Sequence, residues 1–122
     1  MKKATVSPIT VAQLLKLLEE SGFDVSLKGE KQMLEAANKK KDARARAVVA
    51  ENIKIKGLIL PDEFQIMINR DLPLEERVKT VLHELIHLRA PDISEAATEK
   101  ATEALYRDLT SDQLGRLEFL VS

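Results

Sequence analysis

Apolar residues recur along this chain with two different periods, and the change of period divides it into elements. Val11, Leu14, Leu15 and Leu18 follow the three–four spacing of a helix face. Thr10 stands as an N-cap before them and Gly22 where a C-terminal glycine belongs, so residues 10–20 are predicted helical. Phe23 to Leu27 is short and reads as extended. Residues 30–51 read as mostly helical, with Met33, Leu34 and Ala37 beginning an apolar stripe. The run from Lys39 to Arg46 is strongly basic and reads as a solvated helix face or a break between two helices.

Residues 53–69 change character. Ile53, Ile55, Leu58, Ile59 and Leu60 precede Pro61-Asp62-Glu63, and Phe64, Ile66 and Ile68 then alternate with Gln65, Met67 and Asn69. Two β-rich runs around a Pro-Asp turn predict a hairpin whose second strand has one covered face. Pro73 opens a helix at a position where its missing N–H costs little, with Glu75 and Glu76 near the positive end of the helix dipole. That helix should run to about Arg89 and stop before Pro91. Asp92 and Glu95 have the spacing of a capping box for a helix over residues 93–109, and Thr110 and Gln113 repeat it for a last short helix over 111–121. Helices, hairpin, helices is the order of a small α+β domain, with a small sheet packed on helices and residues 1–122 forming one unit.

A chain of 122 residues suits one domain with a real core. The absence of cysteine excludes disulfides, thiolate metal sites and cysteine nucleophiles, so any metal site must be built from histidine and carboxylate. With 19 basic and 20 acidic residues the net charge is −1, which predicts neither nucleic acid nor an anionic membrane as partner. The first ten residues carry no apolar signal region, and Leu17 and Leu18 are followed at once by Glu19 and Glu20. A cytoplasmic location without a membrane span is the expectation.

The chemistry lies in His83-Glu84-Leu85-Ile86-His87, an HExxH motif that contains both histidines of the chain. On a helix, residues four apart share a face, so two imidazoles can aim nitrogens at one ion at roughly 2.0–2.1 Å. Glu84 is rotated about 100° from His83, placed to reach a metal-bound water without being a ligand. Val78, Val81, Leu82, Leu85 and Ile86 form the core-facing stripe of the same helix, with His83, His87 and Thr80 at its edge and Glu84 further round. A catalytic zinc usually takes a third protein ligand. The layout with a glycine three and a histidine six residues after the motif is excluded, because Ala90 and Ile93 occupy those positions. A carboxylate from the next helix remains: Asp92, Glu95, Glu99 or Glu103. Asp92 looks committed to a cap and Glu95 lies in the first turn. Glu99 lies a full turn inside the helix and is the expected ligand, with Glu95 second.

The stretch from Gly57 to Leu109 resembles the gluzincin-type zinc peptidases of the ImmA/IrrE kind and the very small minigluzincins. The matching parts are Phe64-Gln65-Ile66-Met67-Ile68-Asn69, Leu72-Pro73-Leu74-Glu75-Glu76-Arg77, Leu82-His83-Glu84-Leu85-Ile86-His87, and Ile93-Ser94-Glu95 through Glu99 to Ala104-Leu105-Tyr106. The resemblance implies a zincin-like fold and zinc held by His83, His87 and Glu99. It also implies Glu84 as general base and a strand over 64–69 that pairs with extended substrate, a peptide or an unfolded protein. Tyr106, on the face of Glu99, is either an oxyanion donor or a packing residue. Two other readings stand beside peptide hydrolysis. One is a non-catalytic, zinc-stabilised binding module. The other is a latent peptidase, blocked by its own terminus or by self-association, since the apolar tail of Leu114, Leu117, Phe119, Leu120 and Val121 must pack somewhere.

Overall fold

The structure is a computed structural model and describes residues 9–39, 46–49 and 55–122. Helix α1 spans Val11–Ser21. Thr10 Oγ1 accepts from the Gln13 amide at 3.1 Å, and the Thr10 amide donates to Gln13 Oε1 at 3.0 Å. This reciprocal cap satisfies two amides that a helix start leaves unpaired. Gly22 ends the helix in the left-handed conformation at φ 79°, which a glycine adopts without a steric penalty. Strand β1 (Asp24–Lys28) follows, then α2 (Glu30–Lys39), β2 (Arg46–Val49), β3 (Ile55–Leu60), β4 (Gln65–Asn69), α3 (Leu74–Arg89), α4 (Glu95–Arg107) and α5 (Ser111–Leu120).

The expected hairpin is present: β3 and β4 are antiparallel, joined by a single 3-10 turn at Pro61–Glu63. It is the centre of a four-stranded sheet in the order β1-β4-β3-β2, with β1 parallel to β4 and β2 antiparallel to β3. Three expectations change here. Residues 30–51 are not one helical region, because Arg46–Val49 extends along the outer edge of β3. Most of the basic run lies outside the described residues. Phe64 is not part of the alternating strand: it closes the turn in a left-handed conformation at φ 54°, and its ring is 54% exposed, packed edge-to-face on Phe23. Finally, β4 is an interior strand with both edges hydrogen-bonded, so it cannot receive a peptide by edge addition.

The sheet is covered on both faces. Ile59, Ile66 and Ile68 pack with α1 and α3 in the main core, while Leu58 and Leu60 pack with Met33 of α2 on the other side. This is why Leu58, Ile59 and Leu60 of β3 are consecutive apolar residues, the pattern of a strand buried on both faces. Helix α3 is the centre of the domain, in contact with α1, α4, α5, β3 and β4. Val78, Val81, Leu82, Leu85 and Ile86 are fully buried on it, and so is Glu84. The helix is therefore enclosed on nearly all sides, beyond the one-sided stripe its sequence suggests. The tail packs too: Leu117 and Val121 are buried, and Arg77 ties the Val121 carbonyl (2.6 Å) to the Leu72 carbonyl (2.9 Å). Among the described residues no helix is long and apolar enough to cross a membrane.

Leu85→Ala should lower the unfolding free energy by about 2–5 kcal/mol, through lost burial plus the cavity left behind. Phe119, 84% exposed, should tolerate alanine with a change of at most about 0.5 kcal/mol. Denaturant titration of the two variants checks both values.

Candidate metal centre

His83 and His87 stand one turn apart near the C-terminal end of α3, and both are buried. Their Nε2 atoms converge to 3.1 Å, with ring centroids 4.8 Å apart. Glu95 completes the group from α4: its Oε1 is 3.3 Å from His83 Nε2 and also contacts His87 Nε2. Ligands about 2.0–2.1 Å from an ion at tetrahedral angles lie roughly 3.3 Å from one another. The two spacings given match that edge length, and two imidazoles with a carboxylate are a suitable donor set. His83, His87 and Glu95 therefore form a group able to hold a metal ion.

Local structure explains why Glu95 is the residue that arrives. The helix cap is Ser94, whose Oγ accepts from the Ala97 amide at 3.1 Å, and not Asp92, which is exposed. Capping at Ser94 makes Glu95 the first residue of α4, so it projects from the helix end that meets the histidines. Glu99, the carboxylate expected as ligand, sits one turn further on. It lines a cavity of about 210 Å³ beside His83, together with Thr80 and Thr102, and stands outside the three-residue group. Glu103 pairs with Lys79 at 3.2 Å. The Tyr106 ring lies under the Lys79 ammonium, 5.0 Å away, and Tyr106 does not line this cavity. A larger groove of about 470 Å³ runs between α1 and α5, but it contains no imidazole and is remote from this chemistry.

Glu84 is fully buried, and its carboxylate packs against β3 at Gly57. A Cβ on Gly57 would stand 2.6 Å from Thr80 Cγ2 and 3.0 Å from Glu84 Oε2. Glycine inside a strand costs roughly 0.5–1 kcal/mol, and here it admits the close approach of α3. Gly57 stands out little in the sequence, although a glycine inside a strand is the signal for such an approach.

Electrostatics act in concert at the group. Burial, reinforced by the neighbouring His87, holds the His83 imidazole below its ordinary value; the charge of Glu95 offsets this only in part. For Glu95, burial pushes the carboxyl up, but His87 and His83 outweigh it and leave it below the usual range. Lys79 loses some affinity for its proton through desolvation, and hydrogen bonds to Glu103 and Glu75 more than restore it. His87 Nδ1 is buried with no hydrogen-bond partner among the described residues, so this ring lacks the outer-shell acceptor that usually orients a metal-binding histidine.

Two outcomes follow. Glu95→Gln should weaken metal binding by about 10- to 100-fold or more, while Glu99→Gln keeps it, as read by competition with a chromogenic chelator. In the metal-free protein both shifts have the same sign. The folded chain binds fewer protons than the unfolded chain, so their stabilisation is complete above the ordinary imidazole value of about 6.5. It is lost first as pH falls through the depressed His83 value and then as Glu95 protonates. Thermal unfolding between pH 7.5 and 5 should show a falling midpoint, with a shallower slope for His83→Gln. No protein-family model, curated protein or solved structure matches this chain, so the assignment of a metal centre stands on the geometry of His83, His87 and Glu95.

Proposed function

We propose that this chain is a zinc-dependent peptide hydrolase of the gluzincin type, with His83, His87 and Glu95 as ligands and Glu84 as general base. The observation that carries the reading is the convergence of two imidazole nitrogens and one carboxylate oxygen, with a buried glutamate next in sequence to the first histidine. Two imidazoles and a carboxylate without thiolate favour zinc among the common divalent ions. The choice of a peptide bond as substrate is supported by the resemblance of residues 57–109 to small gluzincins.

A zinc ion held by His83, His87 and Glu95 would supply Lewis acidity and would lower the pKa of a water bound to it to about 7. The chain's own part is then specific. Glu84, buried between α3 and β3 and outside the lining of the cavity beside His83, would take the proton of the attacking water and deliver it to the leaving amine. Burial of His83 favours its neutral imidazole, whose Nε2 lone pair is then available to a metal ion. The cavity beside His83 is lined by Thr80 and Thr102, whose hydroxyls donate to the Glu76 and Thr98 carbonyls, and by Lys79 and Glu99, which leaves the charged side chains to meet a bound substrate. Helix α5 contributes no residue to this cavity, which argues against self-blocking by the C-terminal segment.

One observation favours a second reading. The ligands come from two helices, His83 and His87 from α3 and Glu95 from α4, so a metal ion would also staple those helices together. A zinc-stabilised binding module uses such a site for folding alone. The two readings separate in one experiment: metal analysis and digestion of an unfolded protein substrate by wild type and Glu84→Gln in parallel. The hydrolase predicts one zinc per chain in both, with activity at least about 100-fold lower in the variant. The binding module predicts that chelation lowers the melting temperature and that neither protein cuts the substrate.

A further inference from the structure

Gly57 lies inside β3, paired with Val48 on one side and Ile68 on the other, with Leu58, Ile59 and Leu60 following it. Every other described position of this strand carries a side chain, and a glycine in mid-strand forgoes both packing and conformational restriction. The reason lies on α3. Thr80 Oγ1 donates to the Glu76 carbonyl at 2.7 Å, the turn-back bond that fixes its rotamer and so fixes where its methyl stands. A Cβ on Gly57 would meet that methyl at 2.6 Å, Glu84 Oε2 at 3.0 Å and Glu84 Cγ at 3.5 Å. The bare backbone of Gly57 thus forms the wall against which the Glu84 carboxylate and the Thr80 methyl rest side by side.

Resting on the hydrolytic reading above, we infer that Gly57 is a positioning residue: it sets the depth at which the Glu84 carboxylate lies between strand and helix. A displacement of about 1 Å can cost on the order of 100-fold in rate, so the few tenths of an ångström that a Cβ at position 57 would impose on the Glu84 carboxylate should cost roughly fivefold. The three atoms nearest the Cβ position of Gly57 belong to Thr80 and Glu84 and none to a proposed metal ligand, so filling it presses first on the base.

The test compares wild type, Gly57→Ala and the double variant Gly57→Ala/Thr80→Ser in their zinc-loaded forms. Zinc content, melting temperature, kcat and KM are measured on an unfolded protein substrate. Gly57→Ala should bind one zinc, melt lower and lose roughly fivefold or more in kcat with KM little changed. The double variant removes the Thr80 methyl, so its melting temperature should return toward wild type. Its kcat should stay low, because the added Cβ still meets the carboxylate. A kcat within about twofold of wild type in Gly57→Ala overturns the inference. So does a kcat that recovers together with melting temperature in the double variant, which would mark Gly57 as structural only. If Gly57→Ala does not fold, the double variant decides alone: folded, zinc-loaded and as active as wild type, it refutes the role. A wild-type chain that holds zinc and cuts nothing removes the hydrolytic reading itself and the positioning role with it.

Discussion

Two imidazole nitrogens and a carboxylate oxygen are brought to one point where α3 meets α4. Lone pairs at such distances repel unless something positive lies between them. A proton can serve one pair at a time, and burial of His83 makes protonation less favourable than in water. A divalent cation serves all three donors at once. The arrangement is thus poorly suited to an ordinary salt bridge and well suited to a metal ion.

Holding the donors requires a rigid support, and α3 has one. The helix is enclosed by the sheet on one side and by α1, α4 and α5 on the others, so Leu82, Leu85 and Ile86 leave it no freedom to roll or slide. Burial of Glu84 and both histidines on the same helix is costly for stability, since ionisable groups prefer water. Hydrophobic packing of the neighbouring positions offsets that cost. Glycine at position 57 belongs to the same compromise, since it gives up side-chain packing in the sheet to let the helix come close.

Much of this was legible in the residues themselves. The reciprocal caps at Thr10 and Thr110, the left-handed Gly22 and the turn at Pro61 are local signals, and each is where its chemistry placed it. The histidine pair was legible for the same reason: four residues on a helix is a geometric statement. What local pattern could not give was anything set by packing between distant segments. The strand at Arg46–Val49 depends on the edge of β3 being open to it. The choice between Glu95 and Glu99 depends on where α4 begins, and Ser94 instead of Asp92 starts it, a shift that puts the first-turn carboxylate on the histidines. Asp92 and Ser94 are both good cap residues, and the capping-box spacing of Asp92 with Glu95 pointed to the one that the fold does not use.

The parallel pairing of β1 with β4 has a consequence for how the chain acquires its shape. β3 and β4 are neighbours in sequence and can zip together through a tight turn, but β1 must wait for a partner that lies beyond α2, β2 and β3. Closing so large a loop costs entropy before any contact repays it, so the hairpin is the natural nucleus and the N-terminal helix–strand unit the late arrival. During synthesis that unit emerges before the hairpin and has no edge to join until the hairpin has left the ribosome. Leu14, Leu15 and Leu18 meanwhile stay without the helix they will cover, and the apolar face of α1 is the surface most open to unwanted association while the chain is incomplete.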